Sequence, residues 1–383
     1  MELKEYRFDE VTINFDKKRV PLSGAQREKR QGSFRYYGAQ GVIDHIDDFI
    51  FDGTYLLIAE DGENLKSKKQ NIAQVVEGQF WVNNHAHIVQ GNELCNTRYL
   101  CYLLNSMDLS GYVTGSAQPK LSQANLNAVT LFLPPIAVQE RIVEYLYLFD
   151  KKIAVNQKIN DNLQQQAAAI FRSWFVDCIP FGSTVPDEWK NVTLEDITTL
   201  VSRGITPKYA DDTDQIVINQ KCIRNHMIDL SFARSHRPKV INNKWLRFGD
   251  LLINSTGDGT LGRAAQVWFQ PHNLTVDSHV TIVRPATENM IFYIGLWGTQ
   301  HEKEIESLHT GSTGQTELPR DRVKAIEILL PDKKTLDRFN TLIAPMTTAI
   351  VSNQEENTKL ASIRDALLPK LMSGEIDVSD IQL

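Results

Sequence analysis

The sequence predicts a mixed α+β protein: two tandem-duplicated globular domains joined by two long antiparallel coiled-coil helices, with pseudo-two-fold symmetry. The first observation behind this is internal similarity at an offset of about 196 residues. Thr114–Leu121, running on to Leu133-Pro134, returns as Thr310–Leu318 running on to Leu330-Pro331. Val82–Val89 returns as Val276–Val283, and Phe51–Ile58 as Arg247–Ile253. One such match could be chance; several in the same order define a duplication. The second observation is that each repeat opens with short β-rich runs punctuated by Gly, Pro and Asn. The third is that each repeat closes with an unbroken apolar heptad.

The elements follow in order. Ala73–Val76, Phe80–Val82, Ile216–Ile218 and His279–Val283 are alternating or β-branched runs, the pattern of strands. Leu100, Leu103 and Leu104 share one face of a short helix over Thr97–Asn105, and Met290–Leu296 is its repeat partner. Each globular part ends in an apolar strand before a proline, Ala128–Leu133 and Ala325–Leu330. From Ile142 the stripe runs Leu146, Phe149, Ile153, Asn156, Asn160, Leu163, Ala167, Ile170 and Trp174, in steps of alternately four and three. The second copy runs Phe339, Ile343, Met346, Ile350, Asn353, Asn357, Leu360, Arg364, Leu367 and Leu371. Each makes a helix of roughly 38 residues, about 57 Å long. Pro345 should kink or locally open the second. In an antiparallel pair Asn156 meets Asn357 and Asn160 meets Asn353. A parallel pair in register would also match amides, but the long connection and the duplication favour antiparallel packing. Such polar layers weaken a coiled coil and specify its register.

Composition bounds the function. A chain of 383 residues has room for two or three domains, and 42% hydrophobic with 23% charged residues excludes wholesale disorder. The longest apolar runs, such as Val129–Val138, reach about half a membrane span. Residues 1–30 hold many charges and no apolar core, so no signal peptide is expected. Cys95, Cys101, Cys178 and Cys222 contain no C-x-x-C pair, which suits buried free thiols in a reducing cytoplasm. Gly257-Asp258-Gly259-Thr260-Leu261-Gly262 matches a dinucleotide fingerprint, yet a strand-like stretch ending at Pro271 follows it where a helix is required. A glycine turn between strands is the better reading. No P-loop is present, Pro186-Asp187-Glu188-Trp189-Lys190 cannot converge its carboxylates from one strand, and the nine histidines are dispersed without metal-ligand spacing. No catalytic constellation and no metal site emerge.

Net charge of −6 gives no hint of nucleic acid, so any such role must rest on local patches. Two exist. Residues 17–37 carry seven basic side chains against Glu28, and residues 221–247 carry seven against Asp229. Basic segments interleaved with polar and aromatic residues suit phosphate neutralisation combined with base-edge readout. The candidates in the first domain are Lys29, Arg30, Arg35, Tyr36, Tyr37 and Gln40, the cluster Lys66, Lys68 and Lys69, and the loop residues Gln118 and Lys120. In the second they are Arg203, Lys208, Lys221, Arg224, Arg234 and Arg237, with Thr313 and Gln315.

Along essentially its whole length the chain resembles the specificity subunit of type I restriction–modification systems. The resemblance is carried by Pro186-Asp187-Glu188-Trp189-Lys190 with Gly204-Ile205-Thr206-Pro207 after it, and by Thr114–Leu121. Leu133-Pro134-Pro135-Ile136-Ala137-Val138-Gln139-Glu140-Arg141-Ile142 and the helix ending Leu367-Leu368-Pro369-Lys370-Leu371-Met372-Ser373-Gly374-Glu375-Ile376 complete it. The first repeat departs by opening on Tyr6-Arg7-Phe8-Asp9-Glu10-Val11, and the second by Pro331-Asp332 with no Gln-Glu after it. The resemblance implies a target-recognition domain at 1–134, a spacer helix at 135–178, a second target-recognition domain at 179–331, a second spacer helix at 332–374 and a tail at 375–383. It implies a non-catalytic, cytoplasmic subunit for phage defence that reads a bipartite, non-palindromic site on double-stranded DNA. Its partners would be two methyltransferase (M) subunits and two restriction/translocase (R) subunits. S-adenosylmethionine, ATP and Mg would reside on those partners, with no cofactor in this chain. A recognition subunit of a type IIB-like system shares the architecture; a coiled-coil scaffold that binds no DNA and a degenerate methyltransferase are the readings from other classes. Duplex binding separates the scaffold, and S-adenosylmethionine binding the methyltransferase.

Overall fold

A computed structural model describes residues 2–67, 70–115, 118–211, 213–257, 259–311 and 316–378. They divide into two compact units: Met1–Ala154 with Asn357–Leu383, and Val155–Glu356.

The first unit is built on a six-stranded sheet in the order Thr12–Asn14, Ala86–Gly91, Phe51–Ala59, Ala73–Val82, Gln31–Gly38, Gly41–Ile46. Neighbours are antiparallel except Gln31–Gly38 against Ala73–Val82. Ala73–Val76 and Phe80–Val82, separate runs in the sequence, are the two ends of one strand. Its central strands are covered on both faces. Leu56 and Ile58 enter one core while Leu57 between them enters another, so these strands read as continuous apolar runs. The helix Thr97–Ser106 buries Tyr99, Leu100, Leu103 and Leu104 and is capped by Asn96, whose side chain accepts from the amides of Arg98 and Tyr99. The strands Lys4–Arg7 and Thr130–Leu133 pair separately.

The second unit repeats the first four strands of that order as Thr198–Arg203, Val280–Pro285, Leu251–Asn254, Ala264–Gln266. Its helix Ile291–Gln300 and its separate pair Lys190–Thr193 with Glu327–Leu330 complete the likeness. The copies diverge after that. Where the first sheet adds two long strands, the second unit forms a three-stranded sheet from Arg234–Ser235, Ile216–Ile218 and Leu274–Val276. Gly257, Gly259 and Gly262 all have positive φ and lie in the turn joining Leu251–Asn254 to Ala264–Gln266, the geometry of a glycine turn. Gly204 has another reason to be glycine: a Cβ there would stand 1.9 Å from the carbonyl oxygen of Val276.

Each heptad region is one helix, Ile136–Phe175 and Lys333–Ser373, shared between the two units. In the first unit Ile142 and Leu146 share a core with Leu371 and Met372; in the second Ala167 and Phe171 share one with Leu336, Phe339 and Ile343. The beginning of one helix therefore meets the end of the other, and they run antiparallel. Near its end the first helix buries Phe171 and Phe175 more deeply than the stripe residues Ile170 and Trp174. A straight helix of 3.6 residues per turn drifts about 20° per heptad, which rotates the next positions inward. Pro345 does not open the second helix, which stays continuous through it. Pro345 and Thr341, whose carbonyl it cannot serve, both lie at exposed positions, so the lost bond falls on the solvent side of the helix.

The junctions explain two sequence features. Gln139 is fully buried: its Oε1 accepts from the Asn96 amide at 2.9 Å, and its Nε2 donates to the carbonyls of Leu94 and Pro134, each at 2.9 Å. The second helix lacks this glutamine and uses Asp332, which accepts from the Thr335 amide at 3.1 Å and hydroxyl at 2.6 Å and from Trp189 Nε1 at 3.3 Å. The Pro-Asp departure is thus a helix cap that also holds the entry tryptophan. Among the described residues no helix is long and apolar enough to cross a membrane. Cys95, Cys178 and Cys222 are buried free thiols, and burial pushes Cys95 up to about 12 and Cys222 to about 11.

Candidate nucleic-acid interface

In the first unit much of the basic stretch is spent on internal structure. A short helix, Gly24–Glu28, is closed by a capping box in which Ser23 Oγ accepts from the Gln26 amide and Gln26 Oε1 from the Ser23 amide. From it Arg27 reaches Asp44 at 2.8 Å and packs over the Tyr36 ring. Arg30 reaches Asp47 at 2.8 Å and Asp48 at 3.5 Å and lies over Trp81. These acids belong to the hairpin Gln31–Ile46 or follow directly after it, so two of the seven cations hold it in place. Arg35 donates to the Glu77 carbonyl at 2.6 Å and lies over the Tyr37 ring. Lys29 is exposed beside them, as is Gln40 at the hairpin turn.

Tyr36 and Tyr37 are corrections. Tyr36 is 0% exposed, with its Oη accepting from the Leu22 amide at 2.8 Å, and Tyr37 is 4% exposed against Phe80. Neighbouring residues on a strand point to opposite faces, and both faces here are covered: Tyr36 packs with Ile46 and Trp81, Tyr37 with Phe51 and Phe80. Neither can reach a base edge. Arg30 is likewise corrected from an available cation to a paired one. Lys68 and Lys69 lie outside the described residues, as do Thr313 and Gln315.

The duplicated Thr-Gly-Ser loop is held alike in both units. Gly115 and Gly311 turn it with positive φ. Thr114 bridges Lys120 in the first and Thr310 bridges Glu317 in the second. Lys66 Nζ donates to the Gly115 carbonyl at 2.8 Å, Gln118 is exposed, and Lys120 pairs with Glu60 at 3.3 Å. In the second unit Arg203 pairs with Glu317 at 2.5 Å and donates to the Leu318 carbonyl at 2.9 Å, so it fastens the loop.

The second unit gathers its cations differently. Lys208, Lys221, Arg224, Arg234, Arg237 and Lys239 are all exposed, and none forms an ion pair among the described residues. Arg234 lies 3.5 Å from the centre of the Tyr209 ring and Arg224 5.2 Å from that of Phe232, so aromatic faces orient both guanidinium planes without neutralising them. The Arg237 amide donates to the Lys208 carbonyl and the Lys239 amide to Gln215 Oε1, which brings Lys208, Arg237 and Lys239 onto one surface. Burial and then Lys239 hold both His236 and Lys244 below their ordinary values. Both ring nitrogens of the buried His236 lack a hydrogen-bond partner. Cations that press on one another are relieved by an anion, and a planar, unpaired arginine is suited to phosphate or to guanine. The basic count was visible in the sequence; which copy keeps its charge unpaired was not, because Asp44, Asp47 and Asp48 reach Arg27 and Arg30 only when the hairpin folds back on the short helix.

Between the helices, within the second unit, Asn353 Nδ2 donates to Asn160 Oδ1 at 2.8 Å, one of the two expected amide pairs. Asn160 Nδ2 donates to the Ile350 carbonyl at 3.4 Å and Asn156 Nδ2 to Glu356 at 2.7 Å. Asn357, the fourth amide, opens the closing segment of the other unit.

Residues 2–165 match the type I restriction modification DNA specificity domain. A Haemophilus influenzae protein assigned as a type I restriction enzyme specificity subunit is 25% identical over 92% of this chain and 91% of its own length. The type I restriction enzyme MjaIX specificity subunit of Methanocaldococcus jannaschii is 26% identical over 74% of this chain and 70% of its own. Among solved structures, the S subunit of a type I restriction-modification system from M. genitalium superposes with a TM-score of 0.58, at 12% identity, over 97% of this chain and 96% of that one. That likeness is one of fold.

Proposed function

We propose that this chain, whose residues 2–165 match the type I specificity domain, is the subunit that reads DNA for a type I restriction–modification complex, binding a bipartite, non-palindromic site on duplex DNA. The observation that carries this is the set of unpaired cations of the second unit, Lys208, Arg224, Arg234, Arg237 and Lys239, two of them held on aromatic rings, together with an anchored loop that recurs in the first. Phosphate contacts from Lys208, Lys221 and Lys239 position the duplex, while Arg224, Arg234 and Arg237 reach base edges. In the first unit Lys29, Arg35, Gln40, Lys66, Gln118 and Lys120 serve. Two domains of one architecture with different loops, Gln118-Pro119-Lys120 against Gly314-Gln315-Thr316, read different half-sites. The chain itself is non-catalytic: it docks two methyltransferase and two restriction subunits, which carry S-adenosylmethionine, ATP and Mg. Methylation mapping tests this in a host carrying the chain with its partner genes. A two-part, asymmetric methylated motif that disappears on deletion of this gene is expected; methylation unchanged by the deletion would overturn the reading.

A further inference from the structure

The two units hold the same loop carbonyl with different cations. In the first, His87 is 1% exposed, and both ring nitrogens face acceptors: Nδ1 meets Asp16 Oδ2 at 2.6 Å and Nε2 meets the Leu121 carbonyl at 2.9 Å. Neither a carboxylate nor a carbonyl supplies a proton, so both bonds exist together only when the ring is an imidazolium. Asp16 is ionised there, because Oδ1 also accepts from the Ile88 amide at 2.8 Å and Arg19 lies at 3.4 Å. Strand register fixes the counterparts. Asn14 pairs with Val89 and Val201 with Val283, and Val89 and Val283 are equivalent in the duplication. Asp16 and Arg203 each lie two residues further on; His87 corresponds to Thr281, and Leu121 to Leu318. In the second unit the Leu318 carbonyl accepts from Arg203 Nη2 at 2.9 Å, while Thr281 is buried against Ser255 Oγ at 2.6 Å.

We propose that His87 is the positioning residue of the Thr114–Leu121 loop and Arg203 that of the Thr310–Leu318 loop, so that raising the pH releases the first loop and leaves the second held. This rests on the reading that both loops take part in DNA recognition. A neutral His87 keeps a single N–H and can serve Asp16 or the Leu121 carbonyl, not both; the proton it loses goes to solvent. Other charges act on the same ring. Glu60 lies 3.9 Å from Nδ1 and is itself paired with Arg19 at 3.0 Å and Lys120 at 3.3 Å. Burial opposes the charged ring, but Asp16, the Leu121 carbonyl and Glu60 outweigh it and raise His87 above the ordinary histidine value. Its stabilisation is therefore complete below that ordinary value and is lost as pH rises through the raised one. Arg203 stays charged throughout this range. His85 flanks the same loop, exposed and bonded to Asp61 at 2.6 Å, and serves as the control.

The test is hydrogen exchange of the full chain from pH 6 to 9, each rate divided by its intrinsic value. Protection of the Thr114, Lys120 and Leu121 amides should fall by up to about tenfold per pH unit above the His87 transition, while Thr310, Glu317 and Leu318 stay level. His87→Gln keeps one donor and cannot titrate, so its profile should be flat; His85→Gln should behave as wild type. Arg203→His should confer pH dependence on the second loop, a gain that misfolding cannot imitate. A level first loop in the wild type, or two loops falling in parallel, overturns the proposal. The assembled complex on duplexes carrying the mapped site should lose affinity over the same pH range, and His87→Gln should abolish that slope. Affinity that ignores pH while the first loop loosens overturns the role in recognition. Absence of duplex binding at every pH overturns the functional reading instead, and the exchange profiles still decide whether His87 holds the loop.

Discussion

At the scale of single residues, the difference between a charge that is present and a charge that is available decides function. Arg30 and Arg234 look alike in the sequence, yet one is paired with Asp47 and Asp48 and the other lies on a tyrosine ring. Replacing Lys208, Lys221 and Lys239 with glutamine should flatten the dependence of log affinity on log salt by about 0.9 for each phosphate that is no longer neutralised. Arg30→Gln should leave that slope nearly unchanged, since it mainly loosens the hairpin; duplex titrations over a series of salt concentrations distinguish the two. Arg284 is a purely structural cation. Its Nε and Nη2 meet Asp250 through two bonds of 2.7 Å, both residues are buried, Nη2 also donates to the Trp245 carbonyl and Nη1 to that of Asn243. Arg284→Ala should cost about 3–5 kcal/mol by leaving Asp250 buried and unpaired, measured by chemical denaturation. Residue roles were the least legible in the sequence. Tyr36 and Tyr37 read as exposed aromatics within a basic run, and only the strands covering each side make them core. His87 reads as a dispersed histidine until Asp16 and Leu121, distant in the chain, are brought to its two nitrogens.

At the scale of elements, periodicity carried most of the information. The alternating steps of four and three became two helices of 40 and 41 residues, and the asparagines placed Asn160 against Asn353. What the heptad missed is drift: Phe171 and Phe175 are buried more deeply than Ile170 and Trp174, which keep only partial contact with the same core, because a real helix exceeds 3.5 residues per turn. Pro345 was expected to kink or locally open the helix, and the helix runs through it without a break. Asn160→Leu alone should destabilise by on the order of 1 kcal/mol by stranding the Asn353 amide, and the double change to leucine should recover that loss or exceed it. Denaturation of the two single variants and the double measures the coupling. A coupling near zero would mean the amides act independently.

At the scale of the whole molecule, the duplication was the most legible feature, because matched segments recur in order along the sequence, and four strands recur in the same order in each unit. Its limits are physical too. The segments that differ most, Gln31–Ile46 and 205–247, are those where one unit extends its sheet and the other starts a new one. Local sequence cannot choose between these, since strands as short as Arg234–Ser235 acquire their partners only in the folded domain. In the proposed function, the loops that carry the candidate DNA-binding residues let one shared framework serve two sequences. The central claim is that each domain reads one half-site, and the direct measurement is a domain exchange. Residues 1–134 are replaced by the equivalent domain of a relative, and the methylated motif is mapped in a host carrying the partner genes. One half of the motif should change while the other half is retained; a motif altered in both halves, or in neither, would contradict the assignment.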